Sequence, residues 1–150
     1  AHQAGVGATI PVRLGGKTDD LHGPPVERDA YVRVLSDGKY TYRGPMMQGV
    51  QDNLGLTATL VVSGVEVVVS TQRRQCFDAE MLRIAGVEPT GLRLLVLKSA
   101  VHFRAHFGPL ASRIFDADTP GIHRPDLAAF DFRKIRRPIY PLDSETKWRD

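Results

Sequence analysis

The first half of the chain is written in short alternating runs. Ile10, Val12 and Leu14 recur at every second position between Ala8 and Leu14, the period of a half-buried strand, and Gly15-Gly16-Lys17 closes the run with a turn. Asp19 to Pro25 is polar and reads as loop, and Val26 to Leu35 as a second strand. Ser36-Asp37-Gly38 before Lys39 to Tyr42 is a hairpin signal, because Asp-Gly tolerates the backbone of a tight turn; Gly44-Pro45 then breaks the returning strand. Met46 to Leu54 has no clear period. Leu56 to Val62 and Val65 to Thr71 are β-branched runs on either side of Ser63-Gly64, and they predict another hairpin.

The second half changes period. Val65 to Thr71, Leu92 to Lys98 and Arg113 to Ala117 read as strands, separated by helices over Phe77 to Ala85 and Ala100 to Ala111. Met81, Leu82 and Ala85 mark the inner face of the first helix, which Gly86 and Pro89 stop; Phe103 and Phe107 mark that of the second, with Ser99 as its N-cap. Strands alternating with helices imply parallel pairing, and the dense apolar run Leu92 to Lys98 suits a strand buried on both faces. The expected fold class is therefore α/β: a β-hairpin-rich N-terminal half joined to a small mixed or parallel βαβαβ sheet with flanking helices, in a single domain over residues 1–150. From Thr119 on, prolines predict an extended tail anchored by Phe130, Phe132, Ile139, Tyr140 and Leu142, with residues 144–150 frayed.

Composition narrows the class. With 42% hydrophobic and 25% charged residues, 150 residues can bury a core without staples, and no apolar run approaches the ~20 residues of a membrane-spanning helix. The net charge of +3 is spread along the chain except at Arg133, Lys134, Arg136 and Arg137, so a solvated or interdomain face is expected there and no nucleic-acid partner. Cys76 is the sole cysteine, which excludes an internal disulfide and a thiolate zinc cluster and suits a cytoplasmic protein. No signal peptide is visible. The chain opens without Met, on a segment that reads as the tail of something longer.

Candidate chemistry collects where Leu92 to Lys98 hands over to the following helix. Ligands in an open α/β sheet bind beyond the carboxyl ends of strands, and those ends carry Thr71, Gln72 and Arg73; Lys98 and Ser99; and Asp116 and Asp118. Lys98 and Arg104 suit a carboxylate or phosphate, and His102 a hydrogen bond in a cleft. His102 and His106 stand four apart, a spacing that can hold zinc on one helix face, yet Phe103 replaces the Glu of a His-Glu-x-x-His motif and no third ligand is indicated. Ser99 lacks the Gly-x-Ser-x-Gly elbow of a hydrolase nucleophile and Gly15-Gly16-Lys17 the pattern of a phosphate loop. Cys76 reads as a buried, inert thiol.

The string Lys98-Ser99 followed by His102-Phe103-Arg104-Ala105 resembles the C-terminal domain of the microcystinase C-like metallopeptidases. Gly15-Gly16-Lys17 and Leu54-Gly55 before it, and Arg137-Pro138-Ile139-Tyr140-Pro141-Leu142-Asp143 after it, carry the resemblance over nearly the whole chain. The resemblance implies a two-domain, zinc-dependent hydrolase of small or linearised peptides. Its metal ligands belong to an N-terminal domain of the same polypeptide, so this chain alone is expected to be inactive and to bind no zinc. On that reading Lys98, Ser99, His102 and Arg104 line the cleft between the domains, with Lys17 and His22 reaching it from the first loop. A separated domain is expected to self-associate through its bared interface. Two other readings follow from the residues: a stand-alone module that binds a small anion or another partner without chemistry, and a complete hydrolase with metal on His102, His106 and Asp116 or Asp118.

Overall fold

The computed structural model describes residues 1–119 and 126–147. Its strands are β1 (Thr9–Leu14), β2 (Val26–Ser36), β3 (Lys39–Thr41), β4 (Gln51–Asn53), β5 (Thr57–Val62) and β6 (Val65–Ser70), followed by two short helices, α1 (Glu80–Arg83) and α2 (Arg104–Phe107). Four strands form one antiparallel sheet in the order β1-β2-β5-β6, and β3 and β4 form a separate antiparallel ribbon.

The alternating pattern explains the sheet. Ala30 and Val32 of β2 and Ala58, Leu60 and Val62 of β5 share one face with Ile10, Val12, Leu14, Val67 and Val69, and form one apolar cluster. The β5–β6 hairpin is the expected one: Val62 faces Val65, and Ser63 and Gly64 take φ of 50° and 83°, the left-handed pair of a two-residue turn that follows strand twist. A bulge between Val32 and Val34 bends β2. On the opposite face Thr59 is fully buried and donates its hydroxyl to the Ala85 carbonyl at 2.6 Å, which seats the α1 segment on the sheet. Ala79, Leu82, Val87 and Phe107 pack there with Val68. The ribbon closes the other side of α1, where Tyr40, Tyr42 and Leu54 meet Met81, and Tyr42 stacks on Phe77 with centroids 5.1 Å apart.

Three expectations are corrected. Lys39 to Tyr42 does not return along β2: the Tyr31–Ser36 end of β2 pairs with β5, and Lys39–Thr41 pairs with β4, the Gly38 carbonyl accepting the Leu54 N–H at 2.9 Å. The parallel βαβαβ sheet is not formed among the described residues, whose strand pairs are all antiparallel. Leu92 to Lys98 and Arg113 to Ala117 run without ladder partners, and Leu94 and Val96 are 74% and 83% exposed where burial on both faces was expected. Only Leu95 and Leu97 turn inward, onto the Phe107 cluster. Both helices are also short. The second becomes a 3-10 turn at Gly108–Leu110, where Pro109 has no N–H to continue the helix.

Of the expected tail anchors Phe130 and Leu142 are half-buried, while Phe132, Ile139 and Tyr140 are exposed, Tyr140 the most. At the expected frayed end, Thr146 bonds back to the Asp143 carbonyl through its N–H and its hydroxyl, while residues 148–150, like Pro120, Gly121 and Pro125, lie outside the described residues.

Candidate functional site

The residues between β6 and α1 and those before α2 meet at Gln75. Its amide nitrogen donates to the Ser99 hydroxyl at 2.8 Å, and its amide oxygen lies 2.9 Å from Nδ1 of His102. That oxygen can only accept, so His102 carries its proton on Nδ1 and turns the lone pair of Nε2 away from Gln75. Lys98 is exposed beside this pair in sequence. Arg104 is engaged: one guanidinium nitrogen donates to both oxygens of Asp116 at 2.7 Å, and its carbon stands 5.2 Å over the Phe103 ring.

Lys17 and His22 are not brought to this group. Lys17 donates to the Arg13 carbonyl at 2.8 Å, and His22 pairs with Asp19 at 2.6 Å, a hydrogen bond that holds the Asp19 carboxyl below its usual range. Their loop leads into Val26, whereas the Ser70 end of β6 is level with Ser36. The 11 residues of β2 separate the two ends, roughly 33 Å at ~3.3 Å per residue.

His102 and His106 do not share a helix face, since α2 begins at Arg104, after His102. His106 faces a different neighbourhood, where its Nδ1 accepts the Ala79 N–H at 3.2 Å; in the neutral ring the proton then sits on Nε2, the opposite tautomer to His102. Beneath it lies Asp78, fully buried, whose carboxylate accepts the backbone N–H groups of Arg43 at 3.1 Å, Gly44 at 2.6 Å and Glu80 at 2.9 Å. Gly44 is required by this closeness, for a Cβ there would stand 2.3 Å from Nδ1 of His106 and 2.9 Å from Oδ2 of Asp78. Among the described residues no three His, Cys, Asp or Glu side chains gather as a metal-binding set. His102, His106 and Asp116 are bonded to Gln75, Ala79 and Arg104 in turn.

Other polar groups are satisfied among themselves. Tyr40 donates to Tyr42 and Tyr42 to Asp52, each at 2.8 Å, and Arg74 closes the chain on Asp52 at 3.2 Å. Burial raises both phenols, and the Asn53 N–H followed by the Tyr42 hydroxyl lowers Asp52. In the basic tail, Arg133 pairs with Asp131, and Arg137 holds Asp143 down at about 2 with help from the Ile139 N–H. Burial, and then the Asp78 charge, push the Cys76 thiol up to about 11.

Sequence reasoning missed Gln75, gave Asp78 no part in a site and read Gly44 only as a strand breaker. Nothing in their spacing announces these pairings, because Gln75 reaches residues 24 and 27 positions away and Asp78 one 34 positions away.

The profile of the family described as the MlrC C-terminus matches residues 1–134. The chain belongs to that family. It is similar to Microcystinase C of a Sphingomonas species, at 28% identity over 142 residues that make up 94% of this chain and 26% of that protein. Its fold is similar to the crystal structure of a protein of Mesorhizobium sp. BNC1 assigned as a metallopeptidase, with a TM-score of 0.81, 32% identity, and coverage of 99% of this chain and 29% of that one. The chain thus spans about a quarter of the length of each. No helix among the described residues is long and apolar enough to cross a membrane.

Proposed function

We propose that this chain is the C-terminal part of a longer, zinc-dependent peptide hydrolase, and that it supplies a substrate-binding wall of the cleft between domains. The observation that carries the reading is the Gln75 bridge: one amide fixes both the Ser99 hydroxyl and the tautomer of His102, so two side chains are held in defined orientations without being used up. The family membership and the share of each relative that the chain covers support a longer polypeptide. Zinc, bound by the N-terminal domain, would supply the electrophile and the activated water. The residues of this chain bind and orient. Nε2 of His102 accepts a hydrogen bond from a substrate amide, the Ser99 hydroxyl and Lys98 meet carbonyl or carboxylate oxygens, and Arg104 holds the Asp116 segment in place. A small or linearised peptide presents these groups. The stand-alone anion-binding reading is weaker, because Arg104 already holds the Asp116 carboxylate.

The test is hydrolysis of a short linear peptide by the longer polypeptide and by the 150-residue chain. The longer polypeptide should cleave it, lose activity on dialysis against a chelator and regain it with zinc, while the 150-residue chain should do nothing. Cleavage by the 150-residue chain at a comparable rate, or no cleavage by the metal-loaded longer protein, overturns the reading.

A further inference from the structure

Leu92 to Lys98 alternates in burial as a strand does and lacks a ladder partner among the described residues. Its side chains alternate: Leu95 and Leu97 pack inward on the Phe107 cluster, and Leu94 and Val96 stand 74% and 83% exposed. Among the described residues, the backbone N–H and C=O groups of 93–100 make no backbone hydrogen bond. A bare ladder edge under an apolar face is a template for strand addition, and folded proteins cover, charge or shorten such edges.

We propose that Leu92–Lys98 is an edge strand completed by a β-strand from the part of the longer polypeptide that lies outside this chain, which buries Leu94 and Val96. The occupant follows from two observations. The relatives are about three and a half times as long as this chain, so most of their length is available to supply the strand. A second copy is disfavoured by charge, because Arg93 and Lys98 flank the apolar residues: antiparallel self-pairing sets Arg93 of one copy beside Lys98 of the other at each end of the ladder, and parallel self-pairing sets like residues side by side. The complementary strand is apolar at its centre and acidic at its ends. This pairing also places the Ser99 and His102 group at the junction of the two parts, directly after the last residue of the strand. The inference rests on the longer polypeptide of the functional reading but on none of its chemistry.

Hydrogen exchange read by mass spectrometry on the longer polypeptide tests it. Peptides covering residues 93–98 should exchange about 100-fold or more slower than an unpaired backbone, approaching β5. The double variant L94E/V96E should abolish that protection while β5 stays protected. The same peptides in the 150-residue chain should exchange fast. Fast exchange of 93–98 in the wild-type longer polypeptide overturns the proposal, and so does protection in the 150-residue chain that appears with dimer formation, which would make a second copy the occupant. Neither readout depends on hydrolysis, so loss of the peptidase assignment leaves this result interpretable.

Discussion

Asp78 is a fully buried carboxylate that accepts from three backbone N–H groups, those of Arg43, Gly44 and Glu80. Removing it strands those donors, so Asp78→Ala should cost roughly 3 kcal/mol, read from denaturant unfolding. Gly44 is coupled to the same place through its contact with the His106 ring. Gly44→Ala should destabilise by about 1–3 kcal/mol through overpacking, and adding His106→Ala should return part of that loss, so the two changes will not be additive in a double-mutant cycle. Cys76 supplies a chemical check: a half-buried thiol pushed up to about 11 is almost entirely protonated near neutrality. Iodoacetamide at pH 7.5 should label the folded chain far more slowly than the unfolded one; equal rates would contradict the burial.

The elements that sequence pattern read well are those decided by near neighbours. β1, β2 and the β5–β6 hairpin follow from period-two alternation and from Ser63-Gly64, and the register then follows from which face is apolar. Gly64→Val should lower stability by about 1–2 kcal/mol because φ of 83° is a left-handed backbone that a β-branched residue resists. The elements read poorly were decided elsewhere. Lys39 to Tyr42 carries a good turn signal, but the Tyr31–Ser36 end of β2 pairs with β5 and Lys39–Thr41 pairs with β4. Leu92 to Lys98 has the density of a strand buried on both faces, yet the described residues cover only one. The candidate site was legible in the same uneven way. Ser99 and His102 do come together, whereas the Gln75 that joins them and the distant Lys17 loop are products of tertiary placement.

Across the whole molecule, two surface carboxylates contribute to acid sensitivity. Glu88 is held at about 2, first by Arg83 and then by Thr90, and Asp143 at about 2, first by Arg137 and then by the Ile139 N–H. Both folded values lie below those of the unfolded chain, so the stability they lend is complete above the ordinary carboxylate range and fades as pH falls through it toward 2. The thermal midpoint should therefore drop between pH 5 and pH 2, and Glu88→Gln should make that drop shallower. Function belongs to this scale too, because under the proposed function the Ser99 and His102 group meets a substrate only with the rest of a longer polypeptide opposite it. The most direct measurement is the steady-state kinetics of peptide hydrolysis by that longer polypeptide carrying His102→Ala, with its thermal midpoint as a control on folding. The account requires kcat/KM to fall by about 10-fold or more, about 1.4 kcal/mol of lost transition-state binding, with the midpoint little changed. Unaltered kcat and KM would contradict it and remove His102 from the cleft.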